Sequence, residues 1–397
     1  MKWYQNFNYA KWAFINFIVL SVFGVLLRYL QLYDLPFVDY QFILHAHSHF
    51  AFSGWMFFSI ALLIARLSAG GRLSPGFKFV LFVALVSAYG MLASFSYQGY
   101  RAVSISFSTL FVLVTFRFTY LVFKGDQLKS RVNKTTFELI RGALAFLCLS
   151  SLGPFALGPL AALGLKDSPY YQDAIYFYLH FQMNGFMLLA AIGLLASAAF
   201  NAPANNNSRK WLNLFIYSTI PLYCIFTLWG KPANWLWMLA CIGAGLNLLS
   251  WLALCFNLRS NWSQLSFLEK AALFALTLKS VFQVLICIPA VGGWTFPNRN
   301  LIIGYIHLLT LGTVMPLLIG QFFRSGFFNT TAALISVSQA YVVLVVAYLG
   351  LLFVQPLLIL FGITIPYYQH LLFLCAVLFL PIGWLLLSKL KKCSLAM

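Results

Sequence analysis

Apolar residues run through this chain in stretches of about twenty, separated by short polar punctuation, and the pattern holds from one end to the other. A bilayer core needs roughly 20 predominantly apolar residues per helix. Inside it every backbone N–H and C=O must be paired within the protein, which leaves α-helices for a pattern with this period. Twelve such segments can be cut, at 12–32, 45–65, 77–97, 102–123, 140–160, 172–199, 211–229, 233–256, 268–290, 300–323, 330–354 and 368–388. The predicted fold class is all-α, a polytopic membrane protein of about twelve transmembrane helices. The longest polar connections, 124–138, 200–210 and 257–267, leave nothing for a soluble domain, so residues 1–397 read as a single integral membrane domain.

A second pattern divides the twelve segments into thirds. A histidine followed five residues later by a glycine occurs as His49 to Gly54, His180 to Gly185 and His307 to Gly312. The intervals between the histidines, 131 and 127 residues, are each close to a third of the 397-residue chain and each holds four spans. Pseudo-repeats of approximately 1–130, 131–260 and 261–397 are expected.

Composition agrees with a lipid solvent: 62% of residues are apolar, 18% aromatic and 8% charged, which no ordinary soluble domain shows. The net charge of +18 follows from topology. With the N terminus inside, the inner side collects Lys2, Lys11, Arg66, Arg72, Lys78, Lys124, Lys129, Arg131, Lys134, Arg141 and further cations to Lys392, while the outer side receives only Arg28, Arg101, Lys166, Lys231 and Arg299. The positive-inside rule therefore places both termini in the cytoplasm, as an even number of spans requires. This leaves the charge no role in nucleic-acid binding. The long first segment has no small-residue cleavage site after it and does not read as a signal peptide. The seven cysteines, Cys148 to Cys393, lack paired or metal-ligand spacing and read as small apolar fillers.

Placed on this topology, His49, His180 and His307 lie on the second, sixth and tenth spans, all running outside to inside, each roughly 10 Å deep at about 1.5 Å per residue. Neutral imidazole is a strong ligand for haem iron and copper, and a glycine one turn on removes a side chain where a macrocycle or a neighbouring helix must approach closely. The plain alternative is a hydrogen-bonded packing histidine. In HAHSHF, His45 and His49 share a face while His47 points almost opposite, so the three cannot serve one metal on one straight helix. Either two sites use this helix or one histidine is an interfacial polar residue. His370, beside Tyr367 and Tyr368, reads as an interfacial side chain.

On these residues the sequence resembles the haem-copper oxidase subunit I superfamily. The resemblance covers the whole chain as topology and only short segments as motif. It implies three pseudo-symmetric four-helix arcs, haem and metal histidines held toward the outer side, and a low-spin haem b between His307 and either His49 or His47. Tyr305 stands where the family has its high-spin haem ligand, as an iron-binding phenolate or a packing tyrosine. The departures are specific: the seventh span has no histidine for the family's copper pair, Asn184 replaces the sixth-helix tyrosine, and no acid lies in mid-span. Proton-pumping oxygen reduction is not expected. His180 with one of the second-span histidines, His45 among them, is the candidate for a copper ion or second haem.

Further polar residues carry graded readings. Arg299 and Arg101 sit at outer mouths where haem propionates would point, or act as interfacial anchors. Gln182 and Asn184 flank His180 and are expected to orient its imidazole or to donate to a bound ligand. Lys279, central in the ninth span with Gln283 one turn on, is a proton-path or anion contact, or is bonded to nearby carbonyls. Two function classes follow. One is a membrane haem b protein that transfers electrons or binds O2 or NO, with an additional resemblance to NnrS-type haem and copper membrane proteins of nitric oxide stress. The other is a non-haem transporter or channel. The first expects quinol or a cytochrome as donor, possible small partner subunits and a bacterial inner membrane.

Overall fold

The computed structural model describes residues 8–124, 127–199, 206–329 and 331–391. Lys2, Lys392 and Cys393, and parts of the connections 124–138 and 200–210, lie outside the described residues. Among these residues the chain is helical and forms no strand, with one isolated bridge between Phe328 and Leu390. Among the described residues, eleven helices are long and apolar enough to cross a membrane, and a twelfth, α9, qualifies only together with the short helix that follows it: α1 (Tyr9–Tyr29), α2 (Tyr40–Ser68), α3 (Pro75–Gln98), α4 (Ala102–Phe123), α5 (Lys134–Ala162), α6 (Pro169–Ala198), α7 (Asn207–Gly230), α8 (Asn234–Asn257), α9 (Phe267–Ile286), α10 (Arg299–Arg324), α11 (Ala332–Ile359) and α12 (Tyr368–Ser388). The protein is an all-α integral membrane protein.

The polar punctuation starts these helices by satisfying their first N–H groups. Asp39 accepts from Phe42 N at 3.0 Å, Asn133 from Thr136 N at 2.8 Å, and Ser266 and Glu269 form a reciprocal capping box on α9.

One expected span departs from a straight helix. The segment 268–290 is α9 followed, after a turn of 109°, by a short helix at Pro289–Thr295. Pro289 explains the break: it disfavours α geometry at Ile288 and cannot donate to the ladder, and Ile288 is extended with ψ 119°.

The helices group into two compact units, Met1–Arg131 with Leu318–Met397, and Val132–Leu317. In the first, α1 packs on α12 and α2, α3 on α2 and α4, and α11 on α12. In the second, α5 packs on α6, α7 on α8, and α9 on α8 and α10. The spans that carry the repeat histidines are the most enclosed: 83% of the best apolar window of α2, 89% of α6 and 72% of α10 is buried, against 28–50% in the other eight straight spans. The three repeat positions thus fall on the most enclosed of the straight spans.

Candidate functional site

Each of these three helices departs from α geometry just after its histidine. A π-helical segment runs Ala51–Phe57 after His49, Phe181–Met187 after His180 and Thr310–Val314 after His307. Each contains the glycine of the repeat, Gly54, Gly185 or Gly312. Such bulges insert a residue into the turn and frequently mark functional sites. In lipid, the carbonyls they release require other donors. Ser53 Oγ donates to His49 O at 2.7 Å, Asn16 Nδ2 to Gly54 O at 2.5 Å and Thr313 Oγ1 to Leu308 O at 3.1 Å. The glycines make room for aromatic rings: a Cβ on Gly54 would stand 2.7 Å from the Phe50 ring, and one on Gly185 would stand 2.6 Å from Phe146 Cβ.

In the first unit, His45 and His49 share a face, as their spacing requires. His49 stacks on Phe95 with centroids 4.3 Å apart and planes 12° apart, and its Nε2 lies 2.8 Å from Tyr100 OH. The His45 ring meets Tyr100 edge-on at 4.7 Å. His47 is turned to the other face of α2, where its Cε1 lies 3.5 Å from the Cβ position of Gly24 on α1. Tyr100, one residue past the Gly99 turn that ends α3, is a site residue with no motif to announce it. His370 stands edge-on to Tyr367 at 6.0 Å at the start of α12.

The second unit holds a continuous chain of buried polar groups. Gln283 Nε2 donates to Tyr305 OH at 2.8 Å, and Tyr305 OH donates to Asn184 Oδ1 at 3.4 Å. Asn184 Nδ2 donates to His180 Nδ1 at 3.4 Å, and His180 Nε2 donates to Thr219 O at 2.8 Å. Four helices, α9, α10, α6 and α7, are linked with every donor pointing the same way. Thr219 lies in the last α-turn of α7, before the chain tightens to a 3₁₀ helix at Tyr223–Gly230, and the imidazole covers that carbonyl.

Lys279, one turn before Gln283, is fully buried. Among the described residues its Nζ and the Oε1 of Gln283 have no hydrogen-bond partner. A central lysine bonded to nearby carbonyls is therefore not what forms. Gln182 is not part of the chain, because it turns to α5 and donates to Ser150 Oγ at 3.1 Å.

The donor atoms decide which histidine suits a metal. A carbonyl can only accept, so each ring nitrogen facing one carries the proton. His180 then has both nitrogens committed and does not fit a copper ion or haem iron. Tyr305 accepts one bond and donates another as a neutral phenol, so it does not fit as a phenolate ligand. In His307 the ring Nδ1 donates to Ile303 O at 2.8 Å, which fixes the tautomer with the proton on Nδ1 and orients the ring, as a backbone carbonyl does for many metal-binding imidazoles. Among the described residues no three His, Cys, Asp or Glu side chains gather into a group that could hold a metal ion, and this includes His45. Arg299 opens α10, next to its Asn298 cap.

No protein-family model matches the chain, and no curated protein matches it in sequence.

Proposed function

We propose that the chain is a membrane haem b protein resembling haem-copper oxidase subunit I, one that transfers electrons or binds O2 or NO without the family's copper site. The observation that carries this reading is the tautomer of His307, whose Nδ1–H donates to Ile303 O at 2.8 Å, so that Nε2 is the basic nitrogen a haem iron would take. The recurrence of a histidine and a π-bulge on the three most enclosed helices supports it, because a repeated irregularity in the interior is expected of a cofactor fold more than of independent packing residues. A bound haem supplies a one-electron couple and an iron that can take a diatomic gas. His49 and His47 are further candidate ligands, facing opposite sides of α2. Electrons come from quinol or a cytochrome, small partner subunits are accommodated, and the membrane is a bacterial inner membrane with both termini cytoplasmic. A second reading within this class is an NnrS-like protein of nitric oxide stress.

A transporter is the other class, and one observation favours it: Lys279 and Gln283 present unpartnered polar atoms to the interior, as a substrate path would. Haem content decides between them. Protein purified from a haem-replete host is expected to give a pyridine haemochrome of the b type, and a haem-free product would move the transporter reading to the front.

A further inference from the structure

A groove of about 390 Å³ runs between α5 and α7 and is lined by none of the histidines or the members of the buried polar chain. This volume lies in the range of small-molecule pockets, roughly 300–1,000 Å³. Its walls are apolar along most of its length, with Phe146, Leu149, Ile216 and Ile220 facing it. At one end it is polar. Glu138 and Arg141, paired at 2.5 Å, line it there together with Asn213. From Glu138 to Leu149 the groove follows α5 for about 16 Å at roughly 1.5 Å per residue, so a flat head group and the start of an apolar tail fit end to end.

The polar end is unusual for this chain. Only seven acids occur in 397 residues, and Glu138 stands one turn inside a span with its side chain 14% exposed. Its carboxylate already balances the Arg141 guanidinium, so the site is neutral as a whole. A phosphodiester would meet that carboxylate and is disfavoured. A neutral ring with oxygen at its edge is suited, because Arg141 and Asn213 can donate to a quinone carbonyl, while Glu138 and the Asn213 amide oxygen can accept from a quinol hydroxyl.

We propose that this groove binds the head of a membrane quinone, with Glu138, Arg141 and Asn213 at the ring oxygens and the isoprenoid tail leaving along α5 and α7. Choosing a quinone among apolar-tailed molecules rests on the reading of the chain as an electron-handling protein, and its test is independent of haem. The full-length protein in nanodiscs is photolysed with a short-tailed azido-ubiquinone, and labelled peptides are located by mass spectrometry. Saturable label is expected on the peptides of α5 or α7. Ala145→Trp, which fills the groove from its exposed side, and Asn213→Leu are each expected to weaken labelling about tenfold, with excess phosphatidylglycerol leaving it unchanged. Label placed elsewhere, or unaffected by Ala145→Trp, overturns the proposal. So does displacement by phosphatidylglycerol, strengthened in Glu138→Gln, which assigns the groove to an anionic phospholipid. Haem measured on the same sample separates the two failures: haem without label removes the groove alone, and label without haem removes the haem reading alone.

Discussion

Tyr305 is the middle of the buried chain, accepting from Gln283 and donating to Asn184. Two of the links beside it are amides, which pass a hydrogen bond but do not readily release and recapture a proton. The chain therefore orders His180 and its neighbours more than it conducts. Removing the phenol oxygen leaves a buried amide N–H and a buried amide oxygen unmatched, at about 1–3 kcal/mol for each unsatisfied group. Tyr305→Phe is expected to lower the thermal unfolding midpoint in detergent clearly, and an unchanged midpoint would show that the chain contributes nothing to stability. Lys279 is the opposite case. Its ammonium has no partner in the interior, where a central lysine costs roughly 2.5–3.5 kcal/mol on insertion scales. Lys279→Met is expected to leave the midpoint unchanged or raise it; a fall of several degrees would mean that the amine holds the structure together. At this scale the sequence displayed the titratable residues and the facing of His45, His47 and His49 on α2. It could not display that His180 spends its second nitrogen on Thr219 O, because a backbone carbonyl has no side-chain identity to read.

The element that most changes the picture is the π-bulge. His-x4-Gly was legible as a repeat, but the extra residue per turn was not, since no side chain encodes it apart from the glycine that makes room. For Gly185 that room is decisive. Replacing a helical glycine by alanine ordinarily gains up to about 1 kcal/mol, but a Cβ there would stand 2.6 Å from Phe146 Cβ, an atom held close to the α5 backbone, and overpacking typically costs about 1–3 kcal/mol. Gly185→Ala is expected to destabilise, while Gly245→Ala on α8, where a Cβ meets nothing within 4 Å, is expected to stabilise slightly. Equal midpoints for the two variants would remove the packing explanation of the repeat. The turn between α9 and the helix at Pro289–Thr295 had a visible signal in Pro289. The unbroken apolar run LICIPAVGGW masked it, because hydropathy reports lipid compatibility and is blind to helix direction.

For the whole molecule, the spacing of apolar runs was sufficient for the class and for eleven of the twelve spans, the remaining one being bent, since a bilayer imposes both length and internal pairing on every segment. Orientation depends on the excess of Lys and Arg on one side, and it makes a direct prediction: a green fluorescent protein fused after Met397 should fluoresce, whereas a periplasmic phosphatase at the same place should be inactive. Active phosphatase would invert the topology. Cofactor content was the least legible property, because a ligand is identified by which ring nitrogen is left with its lone pair, and that is decided by packing.

His180 and His307 look equivalent in sequence, but the proposed haem is assigned to His307, while the ring of His180 bridges Asn184 and Thr219. Dithionite-reduced minus oxidised optical spectra of the purified wild type, His307→Ala and His180→Ala, recorded side by side, test this assignment most directly. A b-type α band is predicted in the wild type and in His180→Ala, and it should be lost or strongly reduced in His307→Ala. A band retained in His307→Ala but lost in His180→Ala, or no band in any of the three, would contradict the account.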